Sequence, residues 1–370
     1  MYFDTSHLAL SMDGEATDTW RIIAFKGHAA LNDDFQFQID WYTRSSVYLK
    51  SLFGKTLCLE VGYGLQIFGI VTCCAQETGS QQQGDHYSLT FQSLLSQLRN
   101  KPTMHTWLNR TPEQVLKDLL LRHQIAQPLF EWNIKPLSPW RTQVQYQESD
   151  WHCFQRIISR SSLTYLLQPT SRMRMLITDD VRHLNTQGEP VVHYHEPQGM
   201  PRSGVCYDYE IHQTTHPKTL KVRGDIGDYP SSICSAEASL SSGGVGKIVI
   251  DECCLQDQVD ADRYVKHQLP ALTQQRWLLV LYCTTLDYWP GQVIRWALDD
   301  KRYRIIRAEF SVDEGQGQSI PGREGLRAYQ KLTLVPADDP VVIPYDQYPL
   351  KRRAMLMADI LGGGDVSPVD

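Results

Sequence analysis

Short stretches in which polar and apolar residues alternate are the feature that most limits how this chain can fold. Residues 36–41 read Gln-Phe-Gln-Ile-Asp-Trp, and the stretches 56–61 and 87–92 alternate in the same way. Alternation places every second side chain on one face of a strand, so each stretch predicts a strand that is half buried. Glycine and Asn/Asp turn signals separate these stretches, which predicts an antiparallel barrel or sandwich over residues 3–98.

The pattern changes between residues 100 and 200. Thr111, followed by a proline, is a typical N-cap, and the apolar residues after it recur on one face of a helix. A second helix is predicted from residue 149, with its apolar face formed by Phe154 and the isoleucines that follow. Residues 163–167 and 173–177 then predict a two-stranded hairpin. This segment is therefore interpreted as a small α/β insertion.

Strand patterns return over residues 201–340. A helix is predicted within them from Asp257 to Leu272, with Pro270 marking its end. Residues 344–370 contain three consecutive glycines and no β pattern, which predicts a short amphipathic segment followed by a flexible end.

The two β regions share an internal order of features. In the first, a turn glycine at position 54 precedes an alternating strand, a second strand, a polar loop and the closing strand 87–94. In the second, Gly291 precedes the same series, which closes with residues 329–335. A duplicated small barrel explains this order, and chance recurrence of common hairpin patterns is the alternative.

The predicted fold class is α+β, mainly β, with two similar small antiparallel β-barrels and an α/β insertion between them. The predicted domains are a first barrel over 1–99, the insertion over 100–200, a second barrel with a helical insertion over 201–345, and the tail 346–370. A trimer of such chains would present six similar barrels in a ring with pseudo-sixfold symmetry, which is what an adaptor between threefold and sixfold partners needs.

The composition narrows the classes of function. The formal net charge is −6, and the basic run 351–353 is too short to follow a phosphate backbone, so no nucleic-acid partner is predicted. Nine cysteines without any C-x-x-C spacing, including the adjacent pairs Cys73–Cys74 and Cys253–Cys254, predict reduced and mostly buried thiols. Residues 1–18 lack the pattern of a secretion signal and no apolar run would cross a bilayer, so cytoplasmic synthesis is expected.

Motifs for catalysis are weak. The sequence contains no G-x-S-x-G, H-E-x-x-H or P-loop pattern. His193 and His195, with Glu196, could bind a metal ion from one strand face, but neighbouring prolines favour a surface strand or loop. The pair His212 and His216, like the Gly-rich stretch 242–247, also favours a loop.

No catalytic residue, cofactor or metal site is predicted from these patterns. Two alternatives stay open at this point. One is an effector enzyme with a site near His193 and His195. The other is a carbohydrate-binding β module that would use exposed tryptophans, namely Trp132, Trp140 and Trp151.

A motif in the insertion points to a family. The segment Val144-Gln-Tyr-Gln-Glu-Ser-Asp-Trp151 resembles the QYxESD(F/W)xF signature of the VgrG proteins of type VI secretion. Residues 160–162 depart from the acidic residue and glycine usual before the next strand. Further segments resemble the family in the same order along residues 3–346, and they are residues 110–121, 175–180, 286–291, 301–306 and 334–345. The motif positions carried over, all with a structural role, are Gln145, Tyr146, Glu148, Ser149, Asp150, Trp151, Phe154, Arg156, Pro290 and Gly291.

The resemblance implies a homotrimeric hub similar to the baseplate hub of contractile phage tails, with no enzymatic activity. Its implied partners are the tube protein, a spike or needle protein with an OB-fold or β-helix, and baseplate components. The chain lacks a pattern for either spike domain, so a natural hub-only protein is expected, with a truncated chain as the alternative. The motif is expected to act structurally, with Ser149 or Asp150 as the helix N-cap. The resemblance also implies that the chain assembles from the cytoplasm into the apparatus and is delivered outside the cell with the spike.

Overall fold

The computed structural model describes residues 8–17, 20–43, 47–61, 64–77, 85–100, 102–125, 129–170, 172–184, 188–195, 205–225, 233–240, 243–251, 255, 257–273, 276–313 and 328–344. The predicted tail 346–370, the basic run 351–353, Glu196 and the pair Cys253–Cys254 lie outside these described residues. Within the described ranges, no helix has the length and apolar character needed to span a membrane.

Strands dominate the elements. They are β1 (Leu8–Met12), β2 (Glu15–Ala16), β3 (Arg21–Ala30), β4 (Gln36–Thr43), β5 (Thr56–Val61), β6 (Leu65–Glu77), β7 (Asp85–Gln92), β8 (Thr103–Arg110), β9 (Phe130–Asn133), β10 (Trp140–Glu148), β11 (Thr164–Leu167), β12 (Met175–Thr178), β13 (Val191–Val192), β14 (Cys206–Gln213), β15 (Thr219–Asp225), β16 (Ile233–Ser239), β17 (Lys247–Asp251), β18 (Trp277–Cys283), β19 (Val293–Trp296), β20 (Lys301–Asp313) and β21 (Ala328–Pro336). The α-helices are α1 (Pro112–Arg122), α2 (Asp150–Arg160) and α3 (Gln258–Thr273), and 3₁₀ turns span Leu49–Ser51, Leu94–Arg99 and Val181–Leu184. The predicted mainly β fold class is confirmed.

One sheet of 13 strands unites both β regions among the described residues. Its order is β14-β18-β21-β20-β3-β4-β7-β6-β5-β1-β2, with β19 and β13 branching from β20. The alternating stretches predicted as strands alternate in burial as well. In β5, Leu57, Leu59 and Val61 are fully buried while the residues between them are half exposed.

The pairing of β3 with β20 joins the amino-terminal and carboxy-terminal parts of this sheet. Phe25 of β3 and Phe37 of β4 pack against Phe310 of β20, with ring centroids 6.1 and 5.4 Å apart. Trp289 stacks on Phe37 at 6.3 Å. Burial of these rings stabilises the junction, because each buried aromatic side chain removes a large apolar area from water.

The two β regions repeat one local arrangement. Gly54 and Gly291 both have positive φ, +74° and +91°. Gly54 N–H donates to Val71 O at 3.0 Å, and Gly291 N–H donates to Ile305 O at 2.8 Å. In each case the residue after the glycine accepts a hydrogen bond in return from the same valine or isoleucine, and the long middle strand is bulged directly after that residue. The turn glycine, the paired hydrogen bonds and the bulged strand of the predicted order are therefore present in both regions, while most of the two polar loops lies outside the described residues.

The insertion has the predicted helices and hairpin. Thr111 caps α1 with a full capping box, in which its side chain and that of Gln114 each bind the other residue's backbone. Strands β11 and β12 pair as an antiparallel hairpin, with β9 added in parallel. Strands β8 and β10 form a separate two-stranded sheet. The predicted domain limits at residues 99, 200 and 345 stay predictions.

A small unit with its own core lies within the second β region. Strands β15, β16 and β17 form a three-stranded sheet, and α3 covers it through Tyr264, Val265 and Leu269. The helix predicted from Asp257 to Leu272 is confirmed to within one residue at each end, and Pro270 lies inside its last turn rather than at its last residue. Proline lacks an N–H and so removes one hydrogen bond, yet the helix continues for three residues to Thr273, whose Oγ1 donates to Pro270 O at 3.0 Å.

Candidate functional site: the polar cluster around helix α2

A sharp turn links β10 to α2. Gln147 has a φ of +47°, and the β8–β10 register shifts beside it, so the strand ends in a bulge. Ser149 is the N-cap, and its Oγ accepts a hydrogen bond from His152 N–H at 3.2 Å. Behind this cap, Phe154 and Ile157 are fully buried. Residues 147–150 therefore set the direction of α2 and cap its amino terminus.

Asp150, in the first turn of α2, is the centre of a buried cluster. Its Oδ1 accepts hydrogen bonds from Gln145 Nε2 at 2.6 Å and from Thr103 Oγ1 at 2.9 Å. Its Oδ2 lies 2.8 Å from His123 Nε2, and Arg122 approaches to 3.9 Å. Burial alone raises the pKa of the Asp150 carboxyl, but these hydrogen bonds outweigh it and hold the pKa below its usual value. The carboxylate therefore ties α1, β8 and β10 to the start of α2.

A second buried ion pair involves Glu148, two residues before Asp150. Glu148 and Arg156 are both nearly inaccessible, and a guanidinium nitrogen of Arg156 donates to Glu148 Oε1 at 2.5 Å. The same nitrogen donates to Val144 O at 2.9 Å. A buried charge is tolerated only with a partner, so each of these two residues depends on the other.

The far face of α2 reaches three distant parts of the chain. Gln155 Nε2 donates to Tyr165 Oη at 2.7 Å and to Asn32 O at 3.2 Å. Ser159 Oγ donates to Ile343 O at 2.6 Å, which holds the segment after β21. Gln268 Nε2 of α3 donates to Ser159 O at 3.2 Å. One helix of 11 residues therefore connects the β3–β4 turn, the last described segment and the small α3 unit.

The Pro290-Gly291 turn reaches the same region through β11. Trp289 Nε1 donates to Leu167 O at 2.8 Å. A Cβ on Gly291 would lie 3.0 Å from a methyl group of Leu166, so the close approach and the positive φ both require glycine. Gly291 O accepts a hydrogen bond from the buried Arg304 at 2.9 Å. Both motif groups therefore pack on the same hairpin.

Of the motif residues, Tyr146 alone points away from this cluster. It lies half buried on the outer face of β10, opposite Met104 of β8. Met104 and Leu108 are both exposed on that face. The other motif residues are buried, apart from Ser149, which is half buried at the cap.

The prediction that Trp132, Trp140 and Trp151 are exposed is wrong. Trp140 and Trp151 are buried at 2% and 5% exposure, and Trp132 is half buried. A basic side chain covers each ring, because a cation is attracted to an aromatic face. Arg99 lies 4.0 Å above Trp151, Arg160 lies 5.0 Å from Trp140, and Lys117 lies 5.4 Å from Trp132. These rings do not offer open faces to a sugar.

His193 and His195 are exposed beside β14. His193 O accepts a hydrogen bond from Cys206 N–H at 3.1 Å, and His195 N–H donates to Cys206 O at 2.9 Å. Across the part of the chain that the structure describes, no three His, Cys, Asp or Glu side chains are grouped to hold a metal ion. The loop predicted for His212 and His216 is wrong for His212, which lies in β14 and contacts Glu210 at 2.9 Å, whereas His216 lies in the loop after it. The loop around Gly243 to Gly246 precedes β17 as predicted.

Several residues of the cluster were not predicted. Asn32 has a φ of +60°, its Oδ1 accepts from Tyr165 N–H at 2.9 Å, and its Nδ2 donates to Val341 O at 3.3 Å. An asparagine between two strands signals a turn, but nothing in the sequence says what the turn packs against. His123 and Thr103 have no local signal at all, because their partner Asp150 is distant along the chain.

The chain matches the phage tail baseplate hub (GPD) family over residues 28–314, which is more than half of its length. The chain belongs to this family. The family resemblance read from the Gln145–Trp151 motif is confirmed.

Three similar proteins fit this assignment. The type VI secretion system spike protein VgrG4b of Pseudomonas aeruginosa is 24% identical to this chain over 195 residues. The aligned residues cover 52% of this chain but only 24% of VgrG4b, about a quarter of its length. The structure of the Escherichia coli c3393 protein superposes with a TM-score of 0.68 at 14% identity. The superposition covers 92% of this chain and 80% of the c3393 chain, and c3393 is described as a component of the type VI secretion system. A tail protein from Neisseria meningitidis MC58 gives 0.64 at 12% identity, with 90% and 99% covered. At these identities the two structures show the shared fold.

Proposed function

We propose that this chain is the structural hub of a contractile injection apparatus of the type VI secretion or phage-tail kind. Membership of the baseplate hub family over residues 28–314 is the observation that carries the proposal. In this proposal three copies form a ring that joins the inner tube to a membrane-puncturing spike. The ring's partners are the tube protein, a spike or needle protein with an OB-fold or β-helix, and baseplate components.

The repeated β arrangement supports a ring with sixfold character. Gly54 with Val71, and Gly291 with Ile305, make the same paired hydrogen bonds ahead of the same bulge. Each copy therefore carries two similar units in one sheet, and three copies carry six. Such a ring can face sixfold tube subunits on one side and a threefold spike on the other.

The α2 cluster supports a mechanical role. Its carboxylates, Glu148 and Asp150, are buried and bound to side chains of this chain, and the helix joins segments distant in sequence. A part that transmits force needs such cross-links more than it needs an open cleft. We propose that the motif residues act structurally and that the chain has no enzymatic activity.

The ends of the main sheet are the surfaces we propose for contact between copies. Strand β14 is at one end of the described sheet and β2 at the other. Tyr209 and Ile211 of β14 are exposed. A strand at a sheet edge offers unpaired backbone groups to another chain, and a ring is built when one surface of each copy meets a different surface of the next.

Light scattering after size-exclusion chromatography tests the proposal. The expected mass is three times the 42.4 kDa of one protomer, and a monomer at micromolar concentration would overturn the trimer. Ile211→Lys places a charge on the β14 edge and should lower the mass. Val259→Lys on α3 is the matched control, because Val259 is even more accessible than Ile211, at 74% against 57%, but lies away from the sheet edge. A persistent Ile211→Lys trimer would refute the edge contact while leaving the hub standing.

A further inference from the structure

Two buried cysteines face each other across the edge of the main sheet. Cys206 begins β14, and Cys283 is directly opposite it at the end of β18. Residues directly opposite in an antiparallel pair have side chains on the same face, and both side chains are fully buried. Both are free thiols in the structure.

The hydrogen-bond pattern shows which kind of cross-strand pair this is. Thr284 N–H donates to Val205 O at 3.0 Å, so the neighbouring pair is the hydrogen-bonded one. The N–H and C=O of Cys206 instead face away from β18, towards His193 and His195. Cys206 and Cys283 are therefore a non-hydrogen-bonded pair. Such pairs have the shorter Cα–Cα separation, about 4.5 Å, which is within the range of about 4.4–6.8 Å that a disulfide spans.

We propose that Cys206 and Cys283 form a dithiol that a small oxidant of the hydroperoxide class converts into a cross-strand disulfide. The register needed for the bond already exists, so the strands do not have to slide. This inference does not rest on the proposed function.

The two thiols are not equivalent. The pKa of Cys206 lies below its ordinary value, mainly because the Cys283 thiol donates a hydrogen bond to its sulfur, which outweighs the opposite effect of burial. The same hydrogen bond, together with burial, raises the pKa of Cys283. Cys206 is therefore the thiol that ionises first and attacks.

The chemistry balances with one molecule of hydrogen peroxide. The Cys206 thiolate attacks one peroxide oxygen, the O–O bond breaks, and the leaving hydroxide takes up the proton that the thiol released, which gives one water and a sulfenic acid. Cys283 sulfur then attacks the Cys206 sulfur, the S–O bond breaks, and the Cys283 proton leaves with the hydroxyl group as a second water. Two thiols are oxidised by two electrons, and one peroxide is reduced to two waters.

The bond would close a loop around the small α3 unit. Strands β15, β16 and β17 and helix α3 all lie between the two cysteines in the sequence. It would also add a covalent link to the first residue of β14, whose thiol otherwise donates a hydrogen bond to Asp208 O at 3.1 Å. Closure of so long a loop restricts the unfolded chain strongly.

The test treats the reduced full chain with hydrogen peroxide, removes the oxidant, unfolds the chain in denaturant with N-ethylmaleimide to block every remaining thiol, and maps the peptides without reduction. The expected result is a peptide that links Cys206 to Cys283, a mass lower by two hydrogen atoms, the loss of two blocking sites, and faster migration of the non-reduced chain on a denaturing gel. Cys73 is the internal control, because it is exposed and its strand partner is Thr90.

Two outcomes overturn the proposal. One is a Cys206 or Cys283 that stays alkylatable at peroxide exposures that fully oxidise Cys73. The other is a link from either residue to a different cysteine. The variants Cys206→Ser and Cys283→Ser should each abolish the linked peptide, and the faster migration should vanish with it. If neither variant folds, the peptide map of the unmodified chain decides alone.

Discussion

Replacement of Asp150 by asparagine tests whether the α2 cluster holds the fold together. Asparagine keeps the shape of the side chain and one acceptor oxygen, but it removes the negative charge. The carboxylate is 7% exposed and accepts hydrogen bonds from Gln145 and Thr103, with His123 on its other oxygen. The new amide group would turn a donor towards one of these donors.

The magnitude follows from the number of bonds that the charge supports. A hydrogen bond to a charged group contributes roughly 1.5–3 kcal/mol, and at least one of the three is lost while the other two weaken. Loss of negative charge at the amino terminus of α2 adds roughly 0.3–1 kcal/mol. We expect Asp150→Asn to lower the free energy of unfolding by roughly 2–4 kcal/mol near neutral pH.

The pH dependence of this loss has a definite sign. The pKa of Asp150 is lowered in the folded chain, so its contribution is complete above the unfolded pKa, near 3.8, and is lost as the pH falls through the lower folded value. The difference between Asp150→Asn and the unmodified chain should therefore be constant from pH 6 to pH 8 and should shrink below about pH 4.

The assay is denaturant unfolding at one fixed protomer concentration, since assembly adds to apparent stability. Glu113→Gln is the matched control. Glu113 is an acid in the first turn of α1, a helix of the same length, but it is partly exposed and pairs with Lys117 at the surface. Its loss should cost about 1 kcal/mol or less. Equal losses for the two variants, or an Asp150 difference that does not change with pH, would refute the reasoning.

Two further predictions concern other positions. Gly291→Ala should lower the free energy of unfolding by roughly 2–3 kcal/mol, because the new Cβ would contact Leu166 and the backbone φ of +91° disfavours alanine. Gly14→Ala is the control, since Gly14 has a similar φ of +85° but open space around it, and it should cost only about 1 kcal/mol. Equal losses for the two variants in denaturant unfolding would contradict the packing argument. Burial raises the pKa of Asp34 from 3.8 to about 7, so its folded form binds a proton more tightly and stability falls as the pH rises between these values. Asp34→Asn should therefore gain stability relative to the unmodified chain from pH 4 to pH 7 and level off above, and a difference independent of pH would show that Asp34 does not titrate there.

Local signals in the sequence predicted local structure well. Thr111 and Ser149 cap their helices as their positions before apolar faces indicate, because a cap involves residues within one turn. The alternating stretches became strands with the expected faces buried. Pro270 marks the end of α3 to within one turn, because one missing hydrogen bond near the last turn does not unwind a helix that packs on a sheet.

Burial of individual side chains was harder to predict. Trp140 and Trp151 were predicted to be exposed, yet an arginine from another part of the chain covers each ring. A tryptophan next to polar residues has the same sequence pattern whether its ring is open or covered. The partner that covers it is distant in sequence, so only the folded chain reveals it.

Local patterns along the chain were enough to predict the alternating strands, the helix caps, the repeated order of features and, through the Gln145–Trp151 motif, the family. The folded chain was needed to show that β3 pairs with β20, that Asp150 contacts Thr103 and His123, and that Cys206 faces Cys283. The physical reason is the range of the interactions. Caps and alternation depend on neighbours along the chain, whereas strand order and buried polar contacts depend on which distant segments lose water together, and no single segment encodes that choice.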